Sequence, residues 1–431
     1  MAQKFVWKGS RRQLLSGSAT ASLGLAGLAL VGCGDDDDSS KSTATSVPGG
    51  GTTASSSPTS AAPFKLTKDI TLGFMSSFTG PLAPIYAPFA NSAKTAIAEI
   101  NESGGIAGVK VSMIEADDQS NPANVPAAAL GLVDKKVNFC LGPVGSNAIS
   151  ASPALNQAKI VQFGYSDNAK LADPKQFPYS FRYVWSPEQS AKFIVDYYKK
   201  QGWDKIAILA ENTVFGQTDF AATEAYMKTQ NMKPTVSEFF PSATSDFVQL
   251  LKKVKDAGSQ AIVWWTQGGP EGTSVLLSME SISFRMPIGG IGLFYPGGGK
   301  ISQEILNQAY GFGYKRQSYS DTEKTAPKVI ELRDNIKKRF GAESLGFTGI
   351  AVSPFYDMVY HLKAAIEGSK SVESDVIVKW MEKNPYDGVL ANYNAITDKD
   401  HTVIDVNQIT LTTIGSFDPA NVPFQRRAPG L

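Results

Sequence analysis

Cysteine and histidine are scarce in this chain, and their scarcity excludes several kinds of site. Among its 431 residues are two cysteines and two histidines, His361 and His401. A zinc site or a histidine-based catalytic triad needs more neighbouring ligands than these two side chains supply. Lysine and arginine number 41 against 40 aspartates and glutamates, without a basic stripe, so nucleic acid is not an expected partner. We expect a protein that is not an enzyme and that uses no metal and no cofactor.

A long apolar segment is also lacking, because the most apolar run near the start is only ASLGLAGLALV. This run is too short, and too rich in Gly and Ala, to be expected to span a membrane as a helix. Arg11 and Arg12 precede it in a twin-arginine export pattern, and it leads to Leu30-Val31-Gly32-Cys33, which resembles a bacterial lipobox. We therefore predict an exported lipoprotein with a signal peptide at 1–32 and a lipid on Cys33, anchored to the outer face of the cytoplasmic membrane. A simple signal anchor is the alternative.

Apolar residues are nearly absent from the stretch after Cys33, GDDDDSSKSTATSVPGGGTTASSSPTSAAP. Such a composition buries too little surface to offset the entropy lost on ordering, so residues 33–67 are predicted to be a lipidated cysteine and a disordered tether. Its four aspartates are interpreted as a solvated charge run, with metal binding as the alternative. Once Cys33 carries lipid, Cys140 has no disulfide partner and is expected to be a small core residue.

The rest of the chain alternates between strand-like and helix-like segments in two successive runs. Short, mostly apolar runs predict strands at 69–75, 109–116, 137–141, 160–163, 205–210, 234–240, 261–266 and 286–291. Helical spacing or helix-start signals predict helices at 148–158, 186–201, 216–230, 246–256 and 271–281. Later helices are predicted at 325–340, 348–367 and 374–384, before hairpin-like strands through 406–414. The pattern predicts an α/β fold with two lobes, each with a helix-covered, mainly parallel sheet.

One loop in this pattern, within NFCLGPVGSNAIS (138–150), is unusually small, polar and rich in glycine. It follows an apolar strand directly and leads into a helix-like segment. In open parallel sheets, ligands bind beyond the carboxyl ends of the strands, and unpaired N–H groups at helix N-termini favour negative groups. Glycine also lets the backbone approach a ligand closely. This loop is therefore a candidate for contact with a ligand.

The stretch ITLGFMSSFTGPLAPIYAPFANSAKTAIAEINESGGIAGVKVSMIEADDQSNPANV (70–125) resembles the opening of the type I periplasmic solute-binding proteins. More narrowly, it is similar to the branched-chain amino acid (Leu/Ile/Val) binding branch, which serves ABC importers. GPVGSNAISAS and ENTVFGQ follow at the intervals expected for that branch. The family implies a two-lobed, Venus-flytrap architecture with three hinge crossovers and a ligand cleft between the lobes.

The same resemblance implies how the chain is divided. Lobe 1 is expected at 68–185 and 316–391, and lobe 2 at 186–315 and 392–418. Residues 419–431 are expected to form a C-terminal tail. A solute bound to one lobe is expected to favour the closed state through its contacts with the other lobe, so that the protein acts as a clamp.

The resemblance also implies several contacts with the ligand. Ser146 aligns with the family serine that hydrogen-bonds the ligand carboxylate, and backbone N–H groups near Asn147 are expected to assist it. The alternative is that one of these two side chains only caps the following helix. Ser166 and Asn168 fall where the family contacts ligand after its next strand, although Asn168 replaces a threonine. Phe215 falls at a family aromatic that closes over the ligand, with ordinary packing as its alternative.

Further aromatic residues are candidates for the walls of the cleft. Phe78 and Tyr86 flank the loop of the first strand. Trp264 and Trp265 are adjacent in one strand, so their side chains must point to opposite faces of the sheet. At most one of these two tryptophans is therefore expected to approach a ligand.

The chain departs from the family where amino-acid binders hold the ligand ammonium. The family's second-lobe carboxylate falls within GGIGLFYPGGG, which contains Phe294 and no acid. The family tyrosine of the preceding loop falls at Gly268 or its neighbour. Glu271 or Asp167 could supply the missing charge, although the family uses neither position. We therefore expect a small carboxylate or amide with an apolar or aromatic body, rather than leucine or its relatives.

Three classes of function compete for this pattern. The leading prediction is a solute receptor, expected to be monomeric, that delivers its ligand to the permease and ATPase of an ABC importer. A receptor that presents ligand to a signalling partner would use the same fold. An α/β enzyme is disfavoured because no G-x-G-x-x-G follows the first strand, and Gly297-Gly298-Gly299-Lys300 lacks the Ser or Thr that completes a phosphate loop.

Overall fold

The computed structural model describes residues 64–293, 299–346 and 349–431. Within these residues, a first sheet has five parallel strands in the order β2-β1-β3-β4-β5. They are β1 (Ile70–Ser76), β2 (Val111–Asp117), β3 (Phe139–Val144), β4 (Val161–Tyr165) and β5 (Ser180–Arg182). All of β3 is buried, which explains its run of apolar residues, since helices cover both faces of a parallel sheet.

Helices cover the first sheet on both faces and complete lobe 1. They are α1 (Ala83–Tyr86), α2 (Phe89–Glu102), α3 (Val125–Asp134), α4 (Ser152–Gln157), α10 (Pro327–Phe340), α11 (Phe355–Ser369) and α12 (Ser374–Met381). The late helices share a core with the first strand, since the rings of Phe355 and Phe74 lie 4.8 Å apart. The later helices therefore belong to lobe 1.

A second sheet has seven strands within the described residues and forms the centre of lobe 2. Their order is β14-β13-β10-β9-β8-β6-β7. They are β6 (Ile206–Glu211), β7 (Ser237–Phe240), β8 (Ala261–Trp265), β9 (Ile288–Ile291), β10 (Ala309–Tyr314), β13 (Ile409–Phe417) and β14 (Gln425–Arg427). Strands β13 and β14 run antiparallel to their neighbours, and the other pairs are parallel. The predicted α/β fold with two mainly parallel sheets is confirmed.

Among the described residues, four helices of lobe 2 begin within two residues of their predicted starts, and a fifth, short helix was not predicted. They are α5 (Pro187–Lys200), α6 (Val214–Thr229), α7 (Val248–Asp256), α8 (Pro270–Ser281) and α9 (Gln303–Leu306). The predicted capping box at Ser186 and Gln189 is formed at the start of α5. Trp264 and Trp265 are fully buried in separate core clusters, as their alternation in β8 requires.

The helix predicted at 148–158 has a different form. Residues Ser146–Ala151 make a 3-10 helix, and the α-helix α4 starts at Ser152. Pro153, in the first turn of α4, has no N–H to continue an α-helical ladder from the preceding residues. The tight turn after β3 is therefore followed by a short 3-10 segment.

The chain passes between the lobes after β5, after β10 and before β13. The last connection differs from the expected boundary at residue 392. A hairpin of β11 (Tyr386–Asp387) and β12 (Asn392–Tyr393) packs on lobe 1, and Val403 N–H donates to the Arg182 carbonyl beside β5 at 3.0 Å. Residues 392–404 therefore lie with lobe 1, because Val403 adds to the free edge of its sheet.

The expected tail at 419–431 also differs from what the structure contains. Strand β14 pairs with β13, and Ala428 is buried in a lobe 2 core cluster. Between these two strands, Phe424 packs in the core of lobe 1, where the Arg333 guanidinium lies 5.5 Å from its ring centre. Along the described residues, no helix has the length and apolarity required to cross a membrane.

Candidate functional site

A cavity of about 250 Å³ lies between the two sheets at the carboxyl ends of their strands. Lobe 1 contributes the ends of β3 and β4, and lobe 2 contributes the ends of β9 and β10. The crossover after β5 adds Val184 and Trp185. This is where ligands bind in open α/β sheets, and the volume suits a small molecule.

The lobe 1 wall follows from strand β4. Tyr165 ends that strand, and Ser166 and Asp167 come directly after it and line the cavity. Ser166 Oγ accepts a hydrogen bond from Asn168 N–H at 3.2 Å, which shapes the loop. Tyr86, from α1, lines the same side, and its hydroxyl donates to the Gln267 carbonyl of lobe 2 at 3.3 Å. The two lobes therefore meet beside the cavity.

Gly145 explains why the loop after β3 has to be glycine-rich. Its φ is +91°, a conformation that side-chain-bearing residues rarely adopt. A Cβ at this position would lie 3.4 Å from the Tyr86 hydroxyl and 3.5 Å from Gln267 Nε2. The glycine therefore lets the backbone of lobe 1 lie close to both groups at the mouth between the lobes.

Two polar side chains of the lobe 2 wall, Ser190 and Asp219, come from helices. Asp219 of α6 has no exposed surface and lines the cavity. Its Oδ1 accepts a hydrogen bond from the Ser190 hydroxyl of α5 at 3.3 Å. Its Oδ2 receives no hydrogen bond from any residue that the structure describes. Phe215, one helical turn before Asp219, lines the cavity from the same face of α6.

The charges around the cavity are negative. Burial, followed by the negative charge of Asp167, raises the pKa of Asp219 well above its usual value. Burial and the same aspartate also raise the pKa of Tyr86. Lysine, arginine and histidine are not found among the described residues that line the cavity. A carboxyl group from each lobe thus faces a space without a fixed positive charge.

Besides Asp219 Oδ2 and the hydroxyl of Tyr314, two buried polar groups of the lining have no partner among the described residues: the indole Nε1 of Trp185 and the hydroxyl Oγ of Ser353. Both can donate a hydrogen bond, and buried donors normally have an acceptor. The rest of the wall is largely apolar and aromatic, including Phe89, Phe312 and Phe424. The cavity can therefore accept a molecule with an apolar body and hydrogen-bonding ends.

The structure brings some of the predicted contact residues to the cavity. Tyr86, Ser166 and Phe215 line it. The backbone of Ser146 and Asn147 continues from the lining residue Gly145 into the 3-10 helix. The side chains of these two residues lie outside the part of the structure that is described.

Other predicted contact residues lie elsewhere. Phe78 packs against the lobe 1 core with its ring 6.0 Å from Phe74. Asn168 accepts a hydrogen bond from Lys170 N–H at 3.1 Å and so caps a 3-10 turn. Gly268 N–H donates to Thr266 Oγ1 at 3.2 Å, while its neighbour Gln267 lines the cavity instead. Phe294 lies outside the described residues.

Some residues that line the cavity were not predicted from the sequence, among them Asp219, Ser190, Trp185 and Gln267. A signal for Asp219 was present, because an acid stands between Phe215 and Thr223 at four-residue spacing on the buried face of α6. An acid on such a face is seldom fully buried without a partner. Trp185 carried no comparable signal, since crossover residues follow no period.

Metal binding and thiol chemistry find no support at this site. In the described ranges, no group of three or more His, Cys, Asp or Glu side chains is arranged to hold a metal ion. Cys140 is buried in the lobe 1 core, and burial raises its pKa to about 12. Its thiol is therefore packed as a small core group and stays protonated.

Comparisons with known proteins agree with this geometry. A sequence model described as periplasmic binding protein matches residues 69–415. The Leu/Ile/Val-binding protein BraC3 of Rhizobium johnstonii is 28% identical over 228 residues, which are 52% of this chain and 62% of that protein, less than two thirds of its length. The Leu/Ile/Val-binding protein homolog 1 of Brucella suis is 26% identical over 333 residues, 75% of this chain and 85% of its own.

Solved structures share the fold. The branched-chain amino acid transporter substrate binding protein LivJ from Streptococcus pneumoniae, in complex with isoleucine, has a TM-score of 0.66 at 20% identity, covering 84% of this chain and 99% of its own. A solute binding protein of an ABC transporter from Rhodopseudomonas palustris HaA2, in complex with p-hydroxybenzoic acid, has a TM-score of 0.69 at 17% identity. The match covers 81% of this chain and 94% of that protein. The resemblance found in the sequence is confirmed.

Proposed function

Because the chain belongs to the periplasmic binding protein family, in its branched-chain amino acid branch, we propose that it is the solute-binding component of an ABC importer. The observation that carries this proposal is the cavity between the carboxyl ends of two sheets, lined by both lobes. Such a cleft binds a solute without making or breaking a bond. Its solute is then delivered to a membrane permease that works with an ATPase.

The solute of this proposal is a small carboxylate or amide with an apolar or aromatic body. The aromatic wall and the unpartnered donors of Trp185 and Ser353 support it. The two solved relatives carry isoleucine and p-hydroxybenzoic acid, which both combine a carboxylate with an apolar or aromatic body. Ser146 stays the predicted contact for the carboxylate.

The proposed mechanism is a clamp. A solute held by Ser166 and Trp185 on the lobe 1 side also touches Phe215 and Asp219 of lobe 2, so it binds the closed state more tightly than the open state. The population of the closed state rises only as far as this difference in affinity allows. The crossovers act as the hinge, and the closed form docks on the permease.

The proposed location places this clamp at the membrane surface. Cys33 carries the lipid, and the tether at 33–67 lets the two lobes reach the permease as a monomer. Cys33, residues 34–63 of the tether and the twin-arginine signal peptide lie outside the described residues. The end of the expected tether differs from the expectation of disorder, because Phe64 and Leu66 pack against the lobe 1 core and Leu66 N–H donates to the Ala107 carbonyl at 3.0 Å. Mass spectrometry of the mature protein tests the anchor, since lipidation adds the mass of the acyl chains to a chain that begins at Cys33. Loss of the lipid in Cys33→Ser is the expected control result.

Small-angle X-ray scattering tests the clamp itself. The full chain is measured alone and at saturation with a solute identified by calorimetry. We expect the radius of gyration to decrease on binding, because the lobes close around the cavity. An unchanged radius at saturation contradicts the clamp. Sub-micromolar binding of L-leucine without binding of aromatic acids or amides would contradict the proposed solute class.

A further inference from the structure

The cleft contains a pair of carboxyl groups that the family resemblance does not account for. The family's own ammonium contact falls in GGIGLFYPGGG, where this chain has no acid. The pair consists of Asp167, after strand β4 of lobe 1, and Asp219, in helix α6 of lobe 2. Asp167 is 8% exposed and Asp219 is 0% exposed. A closed cleft therefore places two acids at one buried site.

Asp219 is held in position but is incompletely satisfied. Thr223 Oγ1 donates to its backbone carbonyl at 2.7 Å, and the Ser190 hydroxyl donates to its Oδ1 at 3.3 Å. Its Oδ2 receives no donor from the described residues and borders the cavity. An ionised and fully buried carboxylate oxygen without a donor is costly, so ionisation of Asp219 is favoured only when an external donor meets this atom.

Asp167 faces the same space from the other lobe. The guanidinium of Arg182 donates to the main-chain carbonyl of Asp167 at 3.2 Å and to Thr402 Oγ1 at 2.6 Å. It fixes the loop that carries the aspartate, and it does not line the cavity. Because two adjacent buried carboxylates repel each other, both become ionised most easily when a cation lies between them.

The remaining wall is also favourable to a cation. Aromatic faces attract cationic groups through their quadrupole, and Tyr86, Trp185 and Phe215 line the cavity. The lining residues that are described include no basic side chain that would compete for the two acids. An anionic solute without a positive group would bring a third negative charge to this site.

We propose that Asp167 and Asp219 form a subsite for a protonated amine of the solute, with one carboxylate supplied by each lobe. This inference rests on the proposed function and specifies its solute: an amine on an apolar or aromatic body, with an amide directed to Trp185 and Ser353. The amine makes contacts to both lobes and therefore links solute binding to lobe closure.

Calorimetry with matched probes tests the subsite in the full chain. The probes are L-phenylalaninamide and phenethylamine, which carry an amine, and 3-phenylpropionamide and 3-phenylpropionate, which do not. We expect L-phenylalaninamide to bind at least tenfold more tightly than 3-phenylpropionamide. Phenethylamine should likewise bind at least tenfold more tightly than 3-phenylpropionate. Asp219→Asn and Asp167→Asn should each abolish this preference. Asp196→Asn, which changes an exposed aspartate of α5 that is paired with Lys192, should retain it.

The outcomes separate this inference from the function on which it rests. Equal or tighter binding of the probes without an amine overturns the amine subsite and leaves a solute receptor in place. The same conclusion follows if the preference for amines survives in both aspartate variants. Binding of none of the four probes contradicts the proposed solute class itself. If Asp219→Asn fails to fold by circular dichroism, Asp167→Asn carries the test alone.

Discussion

The two lobes build their halves of the cleft in different ways. In lobe 1 the polar groups of the wall come from strand ends, as Ser166 and Asp167 do after β4. In lobe 2 two strands line the cavity with glycines, Gly290 of β9 and Gly311 of β10, and the polar side chains Ser190 and Asp219 come from helices. The backbone of lobe 2 therefore lies close to the cavity, and its acidic side chain, Asp219, reaches the cavity from helix α6.

The lobes also differ in the ionisable groups that they bury. Both histidines of the chain are fully buried in lobe 1. Lobe 2 contains no histidine and instead buries the carboxyl group of Asp219. Lobe 1 is therefore expected to respond to acid in a way that lobe 2 does not.

The largest predicted effect is acid destabilisation through His361. Burial lowers the pKa of His361 to about 3 from its ordinary value of 6.5. As pH falls below 6.5, His361 binds a proton in the unfolded chain but stays neutral in the folded chain. The free energy of unfolding therefore decreases progressively until about pH 3. The loss is on the order of 5 kcal/mol, at about 1.4 kcal/mol per pKa unit. Urea unfolding of wild type and His361→Gln between pH 7 and 3.5 should show the wild type losing stability relative to the variant.

Hydrogen exchange tests whether the loss of stability at low pH occurs in lobe 1. Protection of β1 and β3 should fall faster with pH than protection of β6 and β8 in the same sample. Burial also raises the pKa of Asp357, in lobe 1, to about 6, but that effect is common to both proteins and cancels in their difference. Parallel pH profiles for wild type and His361→Gln would contradict the prediction.

A double-mutant cycle tests whether the lobes share one charge site. Each of Asp167→Asn and Asp219→Asn should weaken binding of L-phenylalaninamide by about 1.5–3 kcal/mol, the range for hydrogen bonds to charged groups. The double variant should lose less than the sum, because both carboxylates contact the same ammonium. Calorimetry provides the four affinities. Strict additivity would mean that the two aspartates act at separate places.

The different origins of the two walls explain how much of the site the sequence could predict. The family resemblance pointed to Ser166, and Asp167 was named only as a residue that could supply the missing charge. Both directly follow β4, and the carboxyl end of a parallel strand is a general ligand position. Reasoning from the sequence did not reach Asp219, because a helix position is assigned to core or surface by its period and not by its distance from a cleft. Trp185 depends on how a crossover folds over the cavity, and that path is set by tertiary packing.

A smaller effect is expected from the donor of Trp185. Trp185→Phe keeps an aromatic ring but removes the unpartnered Nε1, so the amide of L-phenylalaninamide should lose about 1 kcal/mol of binding. The affinity for phenethylamine, which has no amide, should change less. Trp203→Phe is the matched control, because Trp203 packs against Tyr198 of lobe 2 outside the cavity. Equal losses for the two probes would show that the ring matters and the donor does not.

The smallest effect is expected at the contact between the lobes. Tyr86→Phe removes the hydroxyl that donates to the Gln267 carbonyl at 3.3 Å. The closed state should lose about 0.5 kcal/mol, the low end for a hydrogen bond between neutral groups, and the radius of gyration of the unliganded protein should increase slightly. Tyr226→Phe is the control, since Tyr226 bonds Asp196 within lobe 2. An equal change in both variants would remove the specific role of Tyr86.

The fold itself was predicted more completely than the site. Alternating apolar runs and helical spacing identified both sheets, because each element shows its buried face in its own period. The boundaries at 392 and 419 were less predictable. Residues 392–404 join lobe 1 through a bond between Val403 and Arg182, and β14 joins lobe 2 by pairing with β13. Such edge additions depend on which strand is left unpaired by the rest of the fold.

A crystal structure of the full chain with the tightest-binding probe is the decisive experiment for the amine subsite. We expect the probe to lie in the cavity between the lobes, with its amine nitrogen within hydrogen-bonding distance of both Asp167 and Asp219. A probe bound outside this cavity, or bound there with its amine directed away from the two aspartates, would contradict this expectation.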